Sequence, residues 1–199
     1  MDIKILFSTR IIRLFCYGFL SVVLALYLAE AGLSEGQIGL LFTLTLAGDA
    51  FISLLLTTSA DRFGRKRTLI IGALLMLLAG IVFLLTSNIV VLIAAAIIGV
   101  ISPSGNEIGP FLSVEQAGLA QIISAKVRTK VFAWYNLVGS FATATGALAG
   151  GWLAQLLQGQ GWRALDAYKV VLSGYALGGL ILTILFFSLS PAVEVTESA

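Results

Sequence analysis

Six long apolar runs separated by short polar breaks set the pattern of this chain. They span about 9–30, 36–58, 68–87, 89–112, 131–156 and 169–189, each close to the ~20 mostly apolar residues that a helix needs to cross a bilayer. The ~10-residue alternating segments of a membrane barrel are absent. The pattern predicts an all-α integral membrane protein in which residues 1–190 form a bundle of six transmembrane helices. The first run is too long for a secretory signal, whose apolar region is ~7–15 residues. It leads into Glu30 and a polar turn, not into a small-residue cleavage site.

The breaks have turn chemistry. Ala31-Gly32-Leu33-Ser34-Glu35 reads as a turn with Ser34 as N-cap of the second helix. Thr86-Ser87-Asn88 is a tight turn, and 60–68, 124–130 and 158–168 hold most of the remaining charge. The fourth run does not fit one upright helix. Extended to residue 124 it would reach ~50 Å, against a hydrocarbon core of ~30 Å. It also contains Ser102-Pro103-Ser104-Gly105-Asn106-Glu107-Ile108-Gly109-Pro110, whose two prolines and two glycines predict a broken helix. Such backbone survives at membrane depth only against protein or a water-filled cavity. Beyond it, 115–123 either continues the helix towards the cytoplasm or lies at the interface. Residues 191–199 read as a flexible tail or the start of an interdomain linker.

Composition agrees: 59% of the 199 residues are hydrophobic and 11% charged, where a soluble domain carries about a quarter charged. The net charge of +2 gives no reason to expect a nucleic-acid partner. There is no histidine, which excludes a Ser-His-Asp triad, a histidine metal site and an imidazole relay. Any side chain that carries a proton near neutral pH is then most readily a carboxyl group. With one cysteine, Cys16, no internal disulfide can form. No G-x-x-x-x-G-K-[ST] loop and no metal-ligand cluster occur, so neither an enzyme, a cofactor nor ATP-driven chemistry is expected. The basic residues are more telling by position. Ten of the twelve, from Lys4, Arg10 and Arg13 through 62–67 to Lys126, Arg128 and Lys130, fall on one side; Arg163 and Lys169 fall on the other. That bias predicts cytoplasmic termini.

Charged residues within spans are functional candidates by default. Asp49 precedes Asp61 by 12 residues, ~18 Å along a helix, which puts it near the midplane. It lies on a stripe of Thr45, Asp49, Ser53 and Thr57. It could bind a proton, a cation or substrate, or pair with Arg13. Glu107, beside Asn106 in the broken span, could carry a proton, line a substrate path or cap freed amides. Glu115 is expected nearer the cytoplasmic end and solvated. Arg13, Tyr17 and Ser21 share one face of the first helix. Arg13 could meet an anionic substrate or a carboxylate of the second or fourth span, but snorkelling to the surface is favoured. Asn136, Ser140 and Thr143 form a polar stripe on the fifth span, suited to interhelical hydrogen bonds.

Between the second and third spans the chain reads Ala60-Asp61-Arg62-Phe63-Gly64-Arg65-Lys66-Arg67. This resembles the signature loop of the major facilitator superfamily, G-x-x-x-D-R-x-G-R-[KR], with Thr57 in place of the leading glycine. Tyr27-Leu28, Gly32-Leu33-Ser34 and Gln37-Ile38-Gly39 resemble the family's first helix and turn, and the similarity covers nearly the whole chain. Two further family patterns are missing: Ala95 stands where an arginine would precede Gly99, and the fifth span's Gly139, Gly146, Gly150 and Gly151 lack the antiporter proline. Those glycines read instead as close helix crossings.

The resemblance implies the amino-terminal six-helix half of a transporter, built as two three-helix inverted repeats. It implies alternating-access transport of a small solute, coupled to an ion gradient, most readily H+, across the cell membrane. Asp61 would latch the cytoplasmic face, with Arg62, Gly64, Arg65 and Lys66 forming the rest of the loop. The partner would be a missing carboxy-terminal half or, for a half-size homodimer, a second copy. A non-transporting membrane subunit is the alternative from another class.

Overall fold

The computed structural model describes residues 1–99, 101–103, 105 and 111–194, apart from the side chains of Leu56, Thr57, Ser59 and Asp61. Its elements are α1 (Asp2–Glu30), α2 (Glu35–Phe63), α3 (Arg65–Leu85), α4 (Ile89–Ile98), α5 (Phe111–Ile122), α6 (Arg128–Gly159) and α7 (Ala164–Phe187), with short 3-10 turns at Ala125–Val127 and Pro191–Val193. Five of the helices, α1, α2, α3, α6 and α7, are long and apolar enough to cross a membrane. The sixth crossing is broken. Helix α4 starts beside the α3 end at Asn88, and α5 finishes where Arg128 donates to the Ala120 carbonyl at 3.1 Å. The 10 and 12 residues of α4 and α5 rise ~15 and ~18 Å, so both are needed to cover the core. The Pro/Gly segment therefore divides the fourth span as its composition predicts, and the expected 89–112 helix is two pieces.

Local chemistry sets the ends. Ser34 and Gln37 form a reciprocal capping box at the start of α2. Asn88 caps α4 by accepting from Val90 N at 3.0 Å and Val91 N at 3.4 Å. Gly64, at φ 95°, is both the last cap of α2 and the first of α3, a reversal that a side chain would strain.

Helix α1 lies at the centre, with Tyr17, Leu20, Leu24 and Leu28 fully buried. It packs mainly on α6 and α7; α2 packs on α4, and α3 on α7. Counted by span, contact of the first with the fifth is matched by contact of the fourth with the second, while third meets sixth. That is the pairing of two three-helix units in inverted relation, which the residues themselves do not reveal.

Close approach to α6 depends on glycine. An added Cβ at Gly146 or Gly150 would collide with the carbonyl oxygens of Phe15 and Phe19, and one at Gly18 with that of Thr143. The glycines of the fifth span are thus contact points between backbones, as in other membrane helix pairs. Gly146→Ala should cost ~1–3 kcal/mol by overpacking. Gly151→Ala, whose Cβ would meet Val22 at an ordinary 3.6 Å, should be close to neutral. Thermal unfolding of both variants in detergent checks the difference; equal midpoints would contradict this packing.

Candidate functional site

Three polar groupings lie along the bundle. The first joins α1, α5 and α6. One helical turn separates Thr9 from Arg13, so both reach the same neighbour. That neighbour is Glu115 of α5. Its Oε1 accepts from Thr9 Oγ1 at 2.9 Å and Arg13 Nη1 at 2.8 Å; its Oε2 accepts from Arg13 Nη2 at 2.8 Å and from the Tyr135 hydroxyl. Arg13 and Glu115 are both 0% exposed. The guanidinium also lies 4.6 Å from the centroid of the Phe111 ring. One turn earlier, Arg10 donates to Asn136 Oδ1 at 3.0 Å and sits over the Tyr135 ring at 4.2 Å.

Two expectations are corrected here. Glu115 is not solvated, because the break in the fourth span lets α5 turn it inward onto α1. Arg13 does not snorkel, because a carboxylate meets it in the bundle with bidentate geometry. Asn136 does make the interhelical hydrogen bond that its stripe suggests.

Asp49 is the second grouping and its opposite. It too is 0% exposed, yet neither carboxyl oxygen has a hydrogen-bond partner among the described residues. Its possible pairing with Arg13 does not occur, since Arg13 is taken by Glu115. On the same stripe, buried Thr45 spends its hydroxyl on the Leu41 carbonyl at 2.7 Å, and Ser53 is half-buried. Asp49 lies within electrostatic reach of Tyr175 on α7, as do Cys16 and Tyr17 of α1. The Tyr17 and Tyr175 rings stack at 6.4 Å. An isolated carboxyl buried in this way is tolerated far better neutral than charged. Asn106, Glu107 and the side chain of Asp61 lie outside the described residues, as does that of Thr57.

The third grouping is the basic loop. Arg62 is exposed in the last turn of α2. Gly64 makes the reversal, and the two free amides that follow are capped from far along the chain. Glu194 Oε2 accepts from Arg65 N at 2.6 Å, and its Oε1 from Lys66 N at 3.2 Å. Arg65 Nη1 donates to Val193 O at 3.3 Å, and Lys66 Nζ to Leu189 O at 2.6 Å. Val193 is buried, beside Gly118 of α5. Ser190 in turn donates to Asp2 Oδ2 at 2.5 Å. Residues 191–194, read from sequence as part of a flexible tail or the start of an interdomain linker, are thus docked between α3 and α5. Sequence reasoning missed Glu194, whose only signal was a carboxylate placed just after the last span.

A family model for the Major Facilitator Superfamily matches residues 6–199. The chain belongs to the major facilitator superfamily. Within it, a curated relative is the uncharacterised membrane protein YJR124C of Saccharomyces cerevisiae, 40% identical over 195 residues, which are 97% of this chain and 44% of the relative. Two solved structures share the superfamily fold. A D-xylose-proton symporter superposes with a TM-score of 0.70 at 18% identity, covering 94% of this chain and 48% of the other. A double tryptophan mutant of XylE does so with a TM-score of 0.71 at 17% identity, covering 94% and 45%. The chain therefore spans a little under half the length of each of these proteins.

The docked end makes its own prediction. Replacing Glu194 with Ala should uncap α3 and release 189–194, at a cost of ~1 kcal/mol. Hydrogen exchange at the Arg65 and Lys66 amides should rise several-fold while the Arg13–Glu115 region stays protected. Unchanged exchange at both amides would show that the carboxylate does not hold them.

Proposed function

We infer that this chain forms one six-helix half of a secondary transporter that moves a small solute by alternating access, with Asp49 carrying the coupled proton. The observation that supports this reading is the contrast between two buried carboxyl groups. Glu115 accepts four hydrogen bonds, two of them from the Arg13 guanidinium, so adding a proton would break strong bonds. Asp49 accepts no hydrogen bond from any described residue. It can take or lose a proton without dismantling a network. The similar fold of a D-xylose-proton symporter makes proton coupling the natural expectation.

In this reading Arg13 and Glu115 position α5. Asp61 and the basic loop latch the cytoplasmic end, where the termini and most lysines and arginines also lie. The cell membrane is the proposed location. The complement that closes the site is a second six-helix unit. Helices α2 and α6 bury the smallest shares of their apolar spans, and they offer Phe51, Leu54, Phe141, Leu148 and Trp152 outward. That unit is a carboxy-terminal half or a second copy.

The test uses vesicles carrying the assembled transporter, with D-xylose as the first solute and other small polar solutes after it. Asp49→Asn should abolish accumulation driven by a pH gradient while solute exchange continues. Full proton-driven accumulation in Asp49→Asn would remove Asp49 from the coupling path.

A further inference from the structure

The basic loop carries Arg62, Arg65, Lys66 and Arg67, and their side chains go different ways. Arg65 is buried, with Nη1 on the Val193 carbonyl at 3.3 Å, and Lys66 reaches the Leu189 carbonyl at 2.6 Å. Both are spent inside this six-helix unit, on the docked segment 189–194. Arg62 comes before the Gly64 reversal, in the last turn of α2, and it is exposed.

Helical spacing decides which surface Arg62 belongs to. Leu40, Leu44, Phe51, Leu55, Thr58 and Arg62 follow at intervals of three, four and seven residues, so they share one face of α2. All six are exposed. The apolar part of α2 is only 17% buried, against 56% in α1. The chain covers 44% of the yeast relative and 48% of the symporter, so a second unit of matching size is available to cover this face.

Resting on the two-unit reading above, we propose that the loop divides its cations. Arg65 and Lys66 hold the docked segment, and Arg62 docks on a carboxylate of the second unit. Continuity carries the assignment: the face that meets the second unit at Phe51 runs on to Arg62 without turning away. A guanidinium at such a seam is best matched by a carboxylate, whose two oxygens take its paired N–H donors. Arg62 and Arg65 are thus not interchangeable, although they stand three residues apart in one basic run.

In membranes carrying the assembled transporter, benzoylphenylalanine replaces Phe51, Thr58 or Arg62, one at a time. Irradiation should join each position to the second unit, read by mass spectrometry as a peptide from outside residues 1–199 or as a dimer of the chain. The peptide caught at position 62 should contain Asp or Glu. With the probe at position 58, Arg62→Glu sets two negative charges together and should lower the yield about tenfold. Arg62→Lys should keep most of it. Capture at position 51 but not at 62 would leave the two-unit reading standing and overturn the place given to Arg62. No capture at any of the three would remove both. A captured peptide without an acid, or a yield that ignores Arg62→Glu, would overturn the carboxylate partner.

Discussion

The bundle turns on one buried ion pair, Arg13 with Glu115. The fourth span is broken, and its second piece, α5, is a 12-residue helix that lacks the length to cross alone. Apolar contact discriminates weakly between positions in lipid, because lipid tails are as apolar as the helix faces. What fixes α5 is a carboxylate that accepts four hydrogen bonds from α1 and α6. A charge buried in a membrane protein must be matched by a partner, and here each member is the other's match. Arg13 can sit at the centre of the molecule because Glu115 is there, and Glu115 because the break lets α5 turn.

That pairing also gives Asp49 its character. With Arg13 committed, the carboxyl on α2 has no guanidinium to neutralise it. The bundle thus holds two kinds of buried acid, one that accepts four hydrogen bonds and one that accepts none from the described residues. The closely packed α1–α6 crossing, kept by glycines, fixes the frame on which both are displayed. Helices α2 and α6 keep the smallest buried shares of their apolar spans, and the similar proteins are about twice as long as this chain.

Much of this was legible in the residues. Six apolar runs predict the spans, and Asp61 through Lys66 carries the family resemblance. Ser34 predicts a cap that forms, and the Pro/Gly cluster predicts the break. The placement of Glu115 was not legible. Distance along the chain from the cytoplasmic end suggests solvation, but the break resets the helix axis, and no local pattern states where α5 then points. The same holds for Arg13, whose long stem suits either a surface or a buried partner. Glu194 was hidden for a different reason: a cap supplied from about 130 residues away leaves no signature at the helix that it caps. Asp49 is buried, and that it has no hydrogen-bond partner among the described residues is a property of packing alone.

The most direct measurement is a double-mutant cycle on the pair at the centre of the account, read as unfolding free energy in mild detergent. Arg13→Met and Glu115→Leu should each cost ~3–5 kcal/mol, because each leaves a buried charge without its partner. The double variant should recover most of that loss, giving a coupling of several kcal/mol. Strict additivity would contradict the account: it would mean that α5 is held by something other than Arg13 and Glu115, and that Arg13 is free to serve Asp49.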